Sequence, residues 1–203
     1  MPLPLQEHVR QVLLENGRDA RIHHAVHEGW RSFQDNYPQR HQWRRKATSR
    51  EIVWEEVTQR LAVLASNDQG VAFIEHKDTV SLIIDDEVLL RLKHADTSLM
   101  TSNYPTAEAE AFDDHEAELY GYTGLQRVKL CYVPDQFERD LIWTGIAASV
   151  NGRFLWKIEL DGKGAVEAPV ALPLVEPEQN TAKLAKLKGQ TSEQGRKKKN
   201  DGA

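Results

Sequence analysis

The sequence predicts an α+β domain: three N-terminal helices packed on a five- or six-stranded, mostly antiparallel sheet, followed by a disordered C-terminal tail. Three observations carry this. Apolar side chains recur at helical spacing up to about residue 65, and the period changes to two between Val71 and Leu160. After Gly164 the texture shifts to Pro, Ala, Val and Glu, then to Lys, Gly, Gln and Ser. The expected organisation is one domain over residues 1–164, helical over 1–66 and strand-rich over 70–160, with a tail over 165–203.

The first helix is expected from about Pro4 or Leu5 to Asn16, with Val9, Val12 and Leu13 inward and Gly17 free to turn left-handed. Asp19 is the expected N-cap of a second helix through Phe33, whose stripe is Ile22, Val26, Trp30 and Phe33. Thr48-Ser49-Arg50-Glu51 reads as a capping box opening a third helix with Ile52, Val53, Val57, Leu61 and Leu64 buried. The turn formers Ser66 to Gly70 end it.

Strands follow. Val71 and Phe73, then Val80, Leu82 and Ile84, then Val88, Leu90 and Leu92 alternate with their neighbours. Turns at His76-Lys77-Asp78 and Asp85-Asp86 make these three an antiparallel meander. An acidic helix is expected from Ala107 to about Leu119, then strands over Arg127–Val133, Leu141–Val150 and Arg153–Leu160. Asn151-Gly152 suits the type I′ turn joining the last two, since both central residues of that turn need positive φ.

Composition narrows the function classes. The formal charge of −5 gives the whole molecule no general attraction to nucleic acid or anionic lipid. The charge is segregated: seven basic and two acidic side chains from Asn180 onward leave −10 on the remainder. No apolar run approaches the ~18 residues of a membrane span, so no membrane is expected among the partners. The opening Met1-Pro2-Leu3-Pro4 carries neither a basic n-region nor an apolar h-region, so a reducing cytoplasm is the expected compartment. The single cysteine, Cys131, lies in an apolar run where a buried, unreactive thiol is the simplest expectation.

Four constellations invite a chemical reading. His23 and His27, four apart on one helix face, have the spacing of two metal ligands, to be completed by His41, His76 or His115. They depart from the zincin pattern, because Glu28 follows the second histidine and Arg31 stands where the next ligand belongs. An exposed polar helix face is the simpler account, and no cofactor is implied. Arg40 to Lys46, with Trp43 interleaved and Arg50 close behind, can grip phosphates and stack a base. The same cations can pair with Glu55, Glu56 or the acidic stretch Glu108–Glu118, or dock a protein.

Asp85, Asp86 and Glu87 near Arg91 and Lys93 resemble a restriction-type nuclease hairpin, but Arg91 occupies the place of the required acid. A turn beside a solvated strand face fits better. Asp113-Asp114-His115-Glu116 is dense enough for a cation, yet partner docking explains it equally well. No serine sits in a nucleophile elbow, so no hydrolase triad can be assembled.

Several segments together resemble a group of small bacterial proteins: Arg44 to Arg50 before a helix, Val88 to His94, Ser102 to Ala109, Lys129 to Val133 and Phe154 to Leu160. Members of that group look like partners of a neighbouring protein with an Xre-type helix-turn-helix and an ImmA/IrrE-like domain, in units that resemble toxin–antitoxin or phage-defence modules. The resemblance spans about Arg44 to Leu160. It implies an interaction protein working by protein–protein contact, with Arg44, Arg45, Lys46, Arg50, Arg91 and Lys93 as the candidate phosphate- or partner-binding surface. In that group a second lysine follows the hairpin Arg and Lys, where this chain has His94, which sets the roles of Arg91 and Lys93 apart. Nucleic-acid binding or cleavage by the same basic groups is the alternative expectation, and a His-liganded metal enzyme the second alternative.

Overall fold

The N-terminal layer is made by α1 (Gln6–Leu14), α2 (Arg18–Asn36) and α3 (Lys46–Ser66), in a computed structural model that describes residues 3–99, 101, 106–115, 118–150 and 153–163. Asn16 and Gly17 both take the left-handed conformation, with φ of 56° and 63°, and this reversal separates α1 from α2. Gly17 is therefore the N-cap of α2, and Asp19, expected there, lies in the first turn instead. The expected capping box is absent as well. α3 begins at Lys46 with Arg45 as N-cap and no side-chain cap, so Thr48 and Glu51 lie inside the helix. Arg45 and Lys46 are exposed, and water can satisfy the first amides of such an open helix end.

Six strands follow: β1 (Val71–His76), β2 (Thr79–Ile84), β3 (Val88–His94), β4 (Gln126–Pro134), β5 (Leu141–Val150) and β6 (Arg153–Glu159). They lie side by side in chain order in one sheet. All neighbours are antiparallel except β3 and β4, which run parallel and are joined by a crossover bearing the short α4 (Ala107–Asp113). Lys77, Asp85 and Asp86 have φ of 51°, 49° and 56°, so the expected hairpin turns form where the turn residues stand. α4 stops at Asp113, short of the expected Leu119. The Asn151-Gly152 turn and the tail over 165–203, expected to be disordered, lie outside the described residues.

Alternation divides the sheet. Leu82, Ile84, Val88, Leu90, Val128, Leu130, Tyr132 and Ile146 face the helices and join Val9, Leu13, Ile22, Val26, Phe33, Val53, Val57 and Leu61 in the main core. The opposite face carries a smaller cluster of Ile83, Leu89, Phe112 and Leu125 and another of Ala95, Cys131, Val133 and Ala147. Burial pushes the Cys131 thiol up to about 12, as an inert core cysteine requires.

One polar cluster holds the layers in place. Arg18, at 2% exposure, donates from Nε to Asp68 Oδ2 at 3.0 Å and from Nη2 to Asp85 Oδ1 at 2.9 Å. Arg21 also reaches Asp68, whose Oδ1 accepts the Gly70 amide at 3.0 Å. Burial by itself would lower the Arg18 pKa, but the hydrogen bonds to Asp68 and Asp85 outweigh it and raise it. The Arg18 hydrogen bond above all, with Arg21 and the Gly70 amide, holds Asp68 at about 2.

Two stability predictions result. α2 and α3 touch at Gly29, where an added Cβ would lie 2.6 Å from Val57 Cγ2 and 2.9 Å from its backbone nitrogen. Gly29→Ala should therefore cost about 2 kcal/mol in urea unfolding. Asp68→Asn leaves Arg18 with half its compensation and should cost about 3 kcal/mol. In the native protein the Asp68 contribution is complete above its ordinary value of 3.8 and disappears as pH falls through about 2. The variant should lack that portion of the acid transition.

Candidate binding cleft

The registered pairing of β2 with β3 ends at Ser81 opposite Arg91. β3 continues to His94, paired with β4 alone, while β2 follows β1 to the turn at Asp78. A cleft of about 420 Å³ opens at this end of the sheet. Its walls are Arg50, Glu51, Trp54 and Glu55 of α3, Asp78 of the turn, Leu92, Lys93 and His94 of β3, and Tyr132 of β4. A shallower depression beside it shares Arg50, His94 and Tyr132 and adds Trp30, Ser49, Val53, Pro134 and Glu138.

The cleft is amphipathic. Trp54, Leu92 and Tyr132 offer apolar surface, while Arg50 stands among Glu51, Glu55 and Asp78. The His94 ring meets Tyr132 edge-on at 5.5 Å between centroids. Burial first, then Arg50 and Lys46, pushes His94 down to about 4, so it is neutral at pH 7. Burial also raises the Tyr132 phenol above its ordinary value. Lys93 is half-buried and held below the usual lysine range by burial, then by Arg91 and Lys129.

The expected binding residues divide into three groups. Arg50 lines the cleft, whereas Lys93, between the helix-facing Leu92 and His94, turns its side chain to the opposite face of the sheet, beside Arg91. Arg44, Arg45 and Lys46 are exposed at the start of α3 outside it, and Lys46 forms only a loose pair with Glu138 at 3.9 Å. Arg91, expected on the functional surface, is 4% exposed on the other face of the sheet. Its Nη2 donates to the Tyr120 hydroxyl at 3.0 Å, and its guanidinium carbon sits 4.3 Å from the Phe112 ring centroid. The short α4 and the Tyr120 loop cover it, which the meander pattern alone does not reveal.

The other constellations resolve into structural contacts. His23 and His27 stack at 4.0 Å, and His27 Nε2 lies 3.3 Å from Thr144 Oγ1. No group of three or more His, Cys, Asp or Glu among the described residues is arranged to hold a metal ion. The hairpin carboxylates are engaged elsewhere: Asp85 pairs with Arg18, and Glu87 lies 2.8 Å from His8 Nε2. Asp113 approaches Lys129 Nζ at 3.7 Å, and His115 is buried. Sequence reasoning missed Trp54, His94 and Tyr132 as cleft residues. Trp54, beside the apolar stripe of α3 rather than in it, was the available signal.

Burial, followed by repulsion from His23 and Arg31, pushes His27 down to about 4 as well. Because both folded values lie below the ordinary 6.5, protons bind the unfolded chain first. Stability should be full above pH 6.5 and fall between 6.5 and about 4. Urea unfolding at stepped pH should show this decline, and His27→Gln with His94→Gln should lessen it, leaving the part due to His23 and His115, which burial also lowers. No protein-family model, curated protein or solved structure matches this chain.

Proposed function

We propose that this chain is a binding protein acting by protein–protein contact, as one component of a two-gene toxin–antitoxin-like or phage-defence module. The observation that carries the contact reading is the cleft, where Trp54 and Tyr132 lie beside Arg50. Tryptophan, tyrosine and arginine are the residues in which interface binding energy concentrates. Glu51, Glu55 and Asp78 set opposite charges around Arg50, so a partner with a complementary pattern gains specificity as well as contact. The two-gene assignment rests on the resemblance over Arg44 to Leu160 and names the partner as the Xre/ImmA-IrrE-like neighbour. That reading puts the pair in the cytoplasm and needs no cofactor. No described helix is long and apolar enough to cross a membrane.

Nucleic-acid binding is the second reading, favoured by exposed Arg44, Arg45, Lys46 and Arg50 along the first turns of α3. Against it, Glu51 and Glu55 flank Arg50 in the cleft and would repel a phosphate backbone.

The deciding experiment is expression of the gene alone and with its genomic neighbour, reading growth and pulling down the complex. A stable complex is expected, and Arg50→Glu combined with Trp54→Ala should weaken it at least about tenfold. Toxicity of this chain alone, relieved by the neighbour, marks it as the toxin; rescue of a toxic neighbour marks it as the neutralising partner. Absence of both complex and growth effect overturns the proposal. DNA or RNA binding that weakens steeply with salt would put the second reading in its place.

A further inference from the structure

The sheet face opposite α1–α3 carries a row of side chains set by strand register. Ser81 stands opposite Arg91, Arg91 opposite Lys129, and Lys93 lies two residues beyond Arg91 on the same face. Ser81, Arg91 and Lys129 are 1%, 4% and 7% exposed. Burying such groups is costly unless each donor finds an acceptor and each charge a counter-charge.

Lys129 is served: Nζ lies 2.9 Å from Ser149 Oγ, 3.4 Å from Thr101 Oγ1 and 3.7 Å from Asp113. The others are not. Ser81 Oγ and Arg91 Nε are buried without a hydrogen-bond partner. Lys93, half-buried beside them, forms no hydrogen bond or ion pair among the described residues. Three adjoining donors thus share the lack of an acceptor.

Charge points the same way. Arg91, Lys93 and Lys129 crowd together, and Asp113 is the single carboxylate within ion-pair distance of any of the three among the described residues. A surplus of two positive charges remains. Cross-strand Cβ atoms on one face are about 5 Å apart, and positions two residues apart along a strand about 7 Å. A tetrahedral oxyanion accepting hydrogen bonds of ordinary length spans those separations. Lys93 is the half-buried member of the row, so the row is reached from solvent at that end.

We propose that Ser81, Arg91, Lys93 and Lys129 form a binding site for a small phosphate-class oxyanion, entered past Lys93. The dianion balances the surplus charge, and its oxygens accept from the Ser81 hydroxyl, Arg91 Nε and the Lys93 ammonium. The site is independent of the protein-partner reading and stands or falls without it.

The test is the melting temperature of the full chain against inorganic phosphate, with chloride and acetate at matched ionic strength as controls. A saturable rise with phosphate alone is expected. Ser81→Ala and Lys93→Gln remove, respectively, a buried hydroxyl without a partner and a crowded cation. Both should therefore melt no lower than the native chain without phosphate, and both should need at least about tenfold more phosphate for the same rise. A native chain with no phosphate-specific rise overturns the proposal. So does a rise that both variants retain unchanged, and acetate matching phosphate overturns the phosphate class.

Discussion

The Arg18 guanidinium is the point on which the arrangement of layers depends. It begins α2, yet its partners are Asp68, just beyond α3, and Asp85, in the β2–β3 turn. A cation at a helix N-terminus is opposed by the helix dipole, so Arg18 is understandable only through these two carboxylates. A buried ion pair adds little net stability over an apolar substitute, but losing one partner leaves a charge that has nowhere to go. The cluster thereby selects one docking of the helical layer on the sheet. It pins the C-terminal end of α3 and the turn end of β3 together. Their other ends, at Arg50 and His94, separate to form the cleft.

The parallel pairing of β3 and β4 sets the character of the second face. A parallel neighbour needs a long crossover, and here the crossover supplies cover: Phe112, Tyr120, Tyr122 and Leu125 over one half, Ala95 and Leu99 over the other. The same register puts Arg91 directly opposite Lys129. Like charges opposite one another are destabilising. Arg91 is relieved in part by Phe112 and the Tyr120 hydroxyl, and Arg127, next along β4, donates to the backbone carbonyls of Ala111 and Asp114. The face is a packed layer with basic groups threaded through it, unlike the uniformly apolar layer under the helices.

Most elements were legible because their signals are local. The stripe of α2 and the alternation of β2 and β3 depend on neighbours a few residues away, and so do the Asp85-Asp86 turn and the left-handed Gly17; Asn16, expected to be helical, turns left-handed with it. Thr48-Ser49-Arg50-Glu51 misled because a capping box describes two residues' capacity, and an exposed helix start has no need of it. Arg18 was illegible as a structural centre: its partners lie 50 and 67 residues away, and nothing local distinguishes it from a surface arginine. In the site, the cationic type of Arg50 was readable. The separation of Arg91 and Lys93 from it, under a covered face, was not, since it depends on the parallel β3–β4 pairing and the cover that follows from it.

The edges of the sheet bear on how a partner can engage. β6 is an outer strand, and its ladder to β5 includes the Leu160 amide donating to the Thr144 carbonyl at 3.0 Å. By the alternation of an antiparallel ladder, the Lys157 carbonyl then points outward, where an added strand would bind. Gln6 Nε2 occupies it at 3.0 Å, and the Trp156 indole donates to the Pro4 carbonyl at 2.8 Å. The N-terminal segment thus lies along the middle of this edge and blocks continuous strand addition there. A protein partner of the proposed kind would have to read side chains instead of extending the sheet at β6, and the cleft between α3 and β3 offers aromatic surface and both signs of charge in one place.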